Sequence, residues 1–285
     1  MRTTIKNDFL TVEIDSFGAE FKSIKDKDGV ERLWQGDEKY WNGQAPLLWP
    51  ICGKLVEGRY IYSGTSYNMP AHGFGRNCEF SIEKEDGSSA VYLLVSDEKS
   101  KEVYPFDYEL RVIYALEENK INVTYVVNNK TDGDMYFSIG SHEAYMWEGE
   151  TGDYSVKFEN VNQLENSLLN GPFLSGKTET VALKNGEMQL VDDDFAERDT
   201  YIFENISVKR VSLVGKNTPK KIVVDYPETA HLLLWKEPEA PFLCIEPWCA
   251  LPDNDGVVSN LPEKPGINKL EKNGVYTNTH TITID

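Results

Sequence analysis

Apolar and polar residues alternate with a period of two along most of this chain. The alternation is clearest in FLTVEID at 9–15, INVTYVV at 121–127, SVKFENV at 155–161 and HTITID at 280–285. Successive side chains of a β-strand point to opposite faces, so this pattern predicts strands with one buried face. The sequence therefore predicts an all-β protein.

Turn signals separate these stretches at short intervals. Asp28-Gly29, Asp86-Gly87 and residues 117–120 each lie between two apolar-alternating runs, which predicts three hairpins. Only residues 37–41 and 192–198 suggest helix, each about one or two turns long. Many short strands at this spacing favour a sandwich or barrel over alternating strands and helices. No linker or repeat is visible, and we expect residues 1–285 to form one domain.

The charge balance restricts the partners. With 29 basic and 47 acidic residues, the 285-residue chain has a formal net charge of −18. A field of this sign repels phosphate backbones and anionic lipid, which argues against nucleic-acid and membrane-surface partners. No stretch approaches the ~18 apolar residues of a membrane span, and no secretion signal is visible. We expect a cytoplasmic protein, either a monomer or a homodimer.

Cysteine chemistry gives little sign of a metal or a disulfide. The four cysteines, at positions 52, 78, 244 and 249, form no C-x-x-C pair. In a cytoplasmic protein such residues usually behave as small buried apolar side chains. We therefore expect neither a disulfide nor a metal site.

Three polar residues occupy unusual places. His72 precedes Gly73 and comes two residues after Pro70, and His142 comes after a strand that breaks at Gly140. Glu246 stands in the apolar run FLCIEPW, where burying a carboxylate is costly unless it is paired or protonated. The two other histidines, at 231 and 280, lie in strand patterns that predict structural roles.

Together, these three residues could perform acid–base chemistry. Histidine titrates near neutrality, and apolar surroundings raise the basicity of a carboxylate. Groups whose proton affinities approach each other near pH 7 form an effective acid–base pair. Neighbouring aromatic residues such as Trp248 could pack against the C–H face of a sugar ring, although core packing is their commoner role.

The same positions carry a family resemblance. His-Gly-Phe at 72–74, Ser-x-Gly-x-His at 138–142 and Cys-x-Glu-Pro-Trp at 244–248 resemble motifs of the galactose mutarotase-like superfamily. The segment at 46–74 resembles the family's run from a proline-rich stretch to the first histidine. The similarity covers most of the chain and is nearest to the aldose 1-epimerase branch.

The resemblance implies a large, twisted antiparallel β-sandwich with a site in an open groove on one sheet. It also implies interconversion of the α and β anomers of a hexose without a cofactor. By position, Glu246 would be the general base, His142 the general acid, and His72 a residue that binds the sugar and polarises an oxygen. Asp199, Lys54, Arg76 and Trp248 are the predicted substrate-binding residues.

Two positions depart from the family pattern. Lys54 follows Gly53 where the family commonly has arginine, so a rigid two-pronged clamp is replaced by a flexible point charge. Glu143 follows His142 where this branch usually has proline, and we expect its carboxylate to favour the protonated form of His142.

Three alternatives remain open at this point. Arg76 matches an arginine that helps to hold phosphate in sugar-phosphate members, which suggests a hexose-6-phosphate epimerase. A carbohydrate-binding protein without turnover would also fit the departures at Lys54 and Glu143. A metal enzyme would use His72, His142 and Glu246 as ligands.

Overall fold

The structure, a computed structural model, describes residues 1–285 and is built mainly from strands. In chain order these are β1 (Arg2–Lys6), β2 (Thr11–Asp15), β3 (Glu20–Lys25), β4 (Arg59–Tyr62), β5 (Thr65–Asn68), β6 (Ser81–Glu85), β7 (Ser89–Val95), β8 (Tyr108–Glu117), β9 (Lys120–Asn129), β10 (Met135–Phe137), β11 (Glu143–Met146), β12 (Tyr154–Phe158), β13 (Gln163–Asn170), β14 (Phe173–Ala182), β15 (Glu187–Gln189), β16 (Thr200–Phe203), β17 (Arg210–Gly215), β18 (Lys221–Asp225), β19 (His231–Trp235), β20 (Phe242–Trp248), β21 (Asn268–Leu270) and β22 (Val275–Ile284). The helices are α1 (Glu98–Lys101) and α2 (Asp192–Arg198), with single 3-10 turns at Val56–Gly58, Gly75–Asn77, Thr151–Asp153 and Leu261–Glu263.

A sheet of nine antiparallel strands forms one layer. Its strand order is β15-β12-β17-β18-β22-β9-β8-β7-β6. In β9 the buried residues Ile121, Val123, Tyr125 and Val127 alternate with partly exposed ones. The sequence pattern of this segment is thus the pattern of a strand with one face against the core, as predicted.

A four-stranded antiparallel sheet, ordered β11-β20-β19-β16, supports the site described below. All seven residues of β20 are buried, which explains why this strand is an apolar run without alternation. A three-stranded sheet (β1-β2-β3) and the ribbons β4–β5, β10–β21 and β13–β14 complete the strand layers.

One hydrophobic core joins these sheets. A cluster of 56 buried residues extends from Ile5 in β1 to Ile284 in β22 and includes Val123 of the large sheet and Ile245 of the small one. Complete burial of such a side chain stabilises the fold by about 1.5–3 kcal/mol. The antiparallel all-β sandwich predicted from the sequence is therefore confirmed.

Two of the three predicted hairpins form as expected. Asp86-Gly87 joins β6 to β7, and residues 117–120 join β8 to β9. Around Asp28-Gly29 the turn forms, with Asp26 accepting the N–H of Val30, but the returning arm makes only isolated bridges.

The helix predictions had mixed outcomes. Residues 192–198 form α2, as predicted. Residues 37–41 form a hydrogen-bonded turn and no helix, in which Asp37 accepts the N–H groups of Tyr40 and Trp41. The equally short α1 is closed by a reciprocal capping box between Asp97 and Ser100, and residues 37–41 have no such pair of bonds. No helix of the structure has the length and apolar character needed to cross a membrane.

Candidate active site

Strand pairing places His142 directly across from Glu246. A bridge between Gly140 and Trp248 continues the antiparallel register of β11 and β20 past the end of β11. In that register His142 falls opposite Glu246, and opposite residues have Cβ atoms ~4.5–5.5 Å apart. The side chains meet, with His142 Nε2 3.3 Å from Glu246 Oε2. Two residues more than one hundred positions apart are thus brought together by main-chain pairing.

The two faces of β20 have different surroundings. Its site face carries Phe242, Cys244, Glu246 and Trp248, which lie outside the main core cluster. Its core face carries Leu243 and Ile245, which belong to that cluster. Glu246 is only 1% exposed although its face supports the site. The carboxyl group is therefore held by a strand that is fixed on its other face.

Burial moves the proton affinities of the pair towards each other. Burial first, and then the charge of Glu143, raises the pKa of Glu246 well above its usual value. Burial first, and then the nearby His72, lowers the pKa of His142 well below its usual value. Both uncharged forms are favoured at neutral pH, so the pair holds one proton between its two members.

The pair retains unused hydrogen-bonding capacity. Glu246 Oε2 and His142 Nδ1 are buried and have no hydrogen-bond partner in the protein, since the 3.3 Å contact lacks hydrogen-bond alignment. An unpaired buried polar atom costs about 1–3 kcal/mol. Such atoms point to a polar ligand that completes the site.

His72 lies beside the pair in an uncommon backbone conformation. Its φ is 63°, a left-handed value that non-glycine residues seldom adopt and that is often found at functional sites. Its Nδ1 accepts the N–H of Gly53 at 3.3 Å, which leaves the proton of the neutral ring on Nε2. Burial first, and then the charge of Arg76, lowers the pKa of His72 to about 4. At neutral pH His72 is an uncharged hydrogen-bond donor.

The glycine that follows His72 permits this placement. A Cβ at Gly73 would lie 2.0 Å from the carbonyl oxygen of Trp49, and its φ is +69°. Only glycine fits two such constraints. The backbone of Trp49 can therefore approach the residue after His72 closely because that residue is glycine.

Trp248 connects the two histidines. Its ring meets the His72 ring edge-on, with 5.3 Å between centroids, and His72 meets His142 in the same way at 5.7 Å. The indole Nε1 donates to the carbonyl of Ser141, the residue before His142. Trp248 thus holds both predicted catalytic histidines in place, and most of its surface is buried.

Asp199 reaches the site through an aromatic neighbour. Its carboxylate accepts a hydrogen bond of 3.3 Å from Trp235 Nε1, and the Trp235 ring packs 5.7 Å from that of His142. Asp199 also has a positive φ of 66° at the end of α2. Its role in binding substrate stays a prediction.

The two predicted basic residues differ in their surroundings. Arg76 is partly buried, donates to the Ala71 carbonyl at 2.9 Å and forms no ion pair. Its charge lowers the pKa values of both site histidines. Lys54 is exposed, and its side chain makes no hydrogen bond or ion pair. Of the two, Arg76 is the cation placed to act on the site.

The expectation for Glu143 is wrong. Glu143 pairs with Ile245 in register, so its side chain lies on the core face, opposite to His142 and Glu246. There Oε1 lies 3.1 Å from His280 Nε2. The pKa of His142 is lowered rather than raised, because burial dominates and His72 and Arg76 act in the same direction. Glu143 therefore does not favour the protonated form of His142.

Sequence reasoning missed several residues of the site. The Trp41 ring lies over His142 at 5.2 Å between centroids and 30° between planes, and it also contacts Trp235 and Phe242. These aromatic side chains form the wall beside the acid–base pair. Only the cluster of aromatic residues at 34–41 could have suggested this, and no spacing relates it to His142.

The proposed metal ligands do not come together as a set. The ligand atoms that lie within 4.8 Å of one another belong to His142, Cys244 and Glu246, without His72. Burial first, and then the charge of Glu246, raises the pKa of the Cys244 thiol well above its usual value. Cysteine binds metals as the thiolate, so this set is a poor metal site.

Both the sequence and the fold are similar to those of known proteins. The sequence model of the aldose 1-epimerase family matches residues 1–260. The protein LacX of Lactococcus lactis subsp. lactis is 32% identical over 297 residues, covering 100% of this chain and 99% of LacX.

Two solved structures have nearly the same fold. A galactose mutarotase related enzyme from Lactobacillus acidophilus superposes with a TM-score of 0.94 at 28% identity, covering 100% of this chain and 97% of that one. A galactose mutarotase-like protein from Lactobacillus casei also gives 0.94, at 26% identity and with full coverage of both chains. The family model matches residues 1–260, and LacX is similar to this chain over its whole length. This chain therefore belongs to the aldose 1-epimerase family.

Proposed function

We propose that this protein is a mutarotase that interconverts the α and β anomers of a hexose, with Glu246 as general base and His142 as general acid. The observation that carries the proposal is the buried contact of 3.3 Å between Glu246 Oε2 and His142 Nε2. Burial displaces the pKa values of these two groups in opposite directions. This is the arrangement that general acid–base catalysis requires near neutral pH.

In the proposed reaction one member of the pair takes a proton from the sugar and the other gives a proton to it. Glu246 removes the proton of the anomeric hydroxyl while His142 protonates the ring oxygen, and the bond between C1 and the ring oxygen breaks. The aldehyde then rotates about the C1–C2 bond. Closure from the other face reverses both proton transfers and gives the other anomer. No cofactor takes part in these steps.

The pair can restore its starting state without solvent. The free pair favours the proton on Glu246, so this proton must first pass across the 3.3 Å contact to His142. Ring opening then transfers a proton from His142 to the ring oxygen and one from the anomeric hydroxyl to Glu246. Ring closure returns a proton to His142 and takes one from Glu246, so the pair ends as it began. His72 would bind a sugar oxygen through Nε2, which its bond with the Gly53 N–H leaves protonated.

One observation favours a second candidate, a hexose-6-phosphate 1-epimerase. Arg76 has no carboxylate partner and donates only to the Ala71 carbonyl, so most of its five donors are free. An unpaired, partly buried guanidinium beside the catalytic histidines could bind a phosphate group. Lys54 is exposed and follows Gly53, whose N–H bonds to His72, so it could supply a second cation.

The test is exchange NMR or polarimetry on hexose anomers, with and without 6-phosphate, at equal enzyme concentration. We expect interconversion of a free hexose to exceed its uncatalysed rate. A higher kcat/KM for the phosphorylated sugar that is lost in Arg76→Gln would favour the second candidate. Binding of sugars without any acceleration would replace both by a carbohydrate-binding protein.

A further inference from the structure

We propose that the buried Glu143–His280 pair is a positioning device for the reaction, which fixes the strand that follows His142 and places a negative charge beneath Glu246. The inference rests on the proposed function and extends it to the opposite face of the small sheet. Glu143 Oε1 lies 3.1 Å from His280 Nε2, and both residues are buried, at 3% and 2% exposure.

The pair joins the two main layers of the molecule. Glu143 begins β11 in the four-stranded sheet, and His280 lies in β22 of the nine-stranded sheet. Glu143 is the residue after His142, and its register partner Ile245 is the residue before Glu246. A contact between the layers at this point therefore holds the backbone beside both members of the catalytic pair.

Stability alone does not account for a buried carboxyl–imidazole pair at this position. Replacing a buried ion pair by apolar residues of similar volume is often neutral or stabilising, since desolvation offsets the attraction. The second oxygen of Glu143 has no hydrogen-bond partner at all. The pair is thus a costly contact placed directly below the site.

The carboxylate of Glu143 acts on Glu246 and not on His142. After burial, Glu143 is the largest contribution to the raised pKa of Glu246, whereas it is not among the groups that shift the pKa of His142.

The titratable groups around Glu143 are His280 on β22, Tyr114 on β8, Tyr125 on β9, Tyr145 on β11, and Cys244 and Glu246 on β20. Around Glu246 they are His142, Cys244 and Asp199, and His72 and Arg76 act on His142.

The first test is the pH profile of kcat/KM for Glu143→Gln. The amide keeps the shape of the side chain and removes its charge, which lowers the proton affinity of Glu246. The base is then ionised at lower pH, so the rising limb should move to lower pH by about half a unit or more. The control is His231→Gln, because His231 is also buried, makes one hydrogen bond and pairs with no carboxylate. This control should lose stability without moving the limb.

A second readout does not depend on turnover. In protein labelled with 13C at the glutamate carboxyl, the Glu246 resonance can be identified by its loss in Glu246→Gln and then titrated without sugar. We expect its midpoint to fall in Glu143→Gln. If the parent shows no turnover, the proposed function fails, and this titration still decides the present proposal.

A second variant keeps a hydrogen bond between positions 143 and 280, so that the proposal can be tested in a protein that still folds. Glu143→Gln/His280→Gln places two neutral amides at the contact and should show the same displacement to lower pH. If stability falls in either variant while both the limb and the Glu246 resonance stay at the parent values, the pair is only structural and the proposal is overturned.

Discussion

Two buried carboxylate–histidine pairs lie on opposite sides of the four-stranded sheet. On the site face, Glu246 and His142 are 3.3 Å apart without hydrogen-bond alignment. On the core face, Glu143 and His280 are 3.1 Å apart and hydrogen-bonded. The residue types are the same, but the surroundings differ. His142 is enclosed by Trp41, Trp235 and His72, whereas His280 packs against Tyr125.

The difference shows how strand alternation assigns roles to adjacent residues. His142 and Glu143 are neighbours in sequence, yet one faces the site and the other the core, because successive side chains of a strand point in opposite directions. The site-face pair keeps free polar atoms for a substrate. The core-face pair uses its contact to join two sheets. The predictions below test this division.

The largest effect should come from removing the acid on the site face. His142→Gln should lower kcat by about 10²–10⁴-fold, the usual contribution of a general acid. The free energy of unfolding should change by about 1 kcal/mol or less, since Nδ1 of His142 has no partner to lose. Steady-state kinetics and urea denaturation measure the two quantities. Turnover at the parent rate would remove His142 from the mechanism.

The opposite result is expected on the core face. His280→Leu should lower the free energy of unfolding by about 3 kcal/mol, because it leaves the Glu143 carboxylate buried and unpaired. The matched variant Glu143→Leu/His280→Leu removes both polar groups and should recover most of that loss. If the single and double variants are equally stable, the Glu143 carboxylate is not left as an unpaired charge in His280→Leu, and the expectation fails.

The pH dependence of stability should also distinguish the site face from the core face. The pKa of His72 is about 4 in the folded protein, against an ordinary value of 6.5. Between these values the unfolded chain binds more protons, so stability falls as the pH drops from 6.5 to 4 and this contribution levels off below 4. The full loss is about 3 kcal/mol from His72. The free energy of unfolding of His72→Gln, measured across this pH range, should fall less than that of the parent. If the two proteins lose stability in parallel, the lowered pKa of His72 is contradicted.

The smallest effect is expected at the rim of the site. Lys54→Ala should raise KM a few-fold, roughly, with kcat nearly unchanged, which is the mark of lost uniform binding. Lys99→Ala, an exposed lysine on α1, is the control and should change neither. A collapse of kcat at constant KM would give Lys54 a part in the chemistry.

The sequence predicts the strands better than the contacts between them. Period-two alternation locates β8, β9 and their turn correctly because this pattern is local. It also contains the information that Glu143, Tyr145 and Trp147 share the core face, which the expectation for Glu143 overlooked. The direction in which its side chain points, and not its proximity to His142 in sequence, decides which residues Glu143 contacts.

The site itself could be predicted only in part. The motifs around His72, His142 and Glu246 indicate residues that the structure does bring together. Trp41 escaped prediction because its place over His142 depends on the path of the loop at 37–43 and on no local pattern. The partner of Glu143 escaped for the same reason, since His280 is 137 residues away.

The central claim is that Glu246 is the base of a catalysed anomer exchange. The most direct measurement is two-dimensional exchange NMR of glucose and galactose anomers with the parent and Glu246→Gln across pH. The account predicts that exchange by the variant falls by about 10²–10⁴-fold and that the rising limb of its pH profile flattens, with the fold intact. Exchange by Glu246→Gln at the parent rate, with the same rising limb, would contradict it.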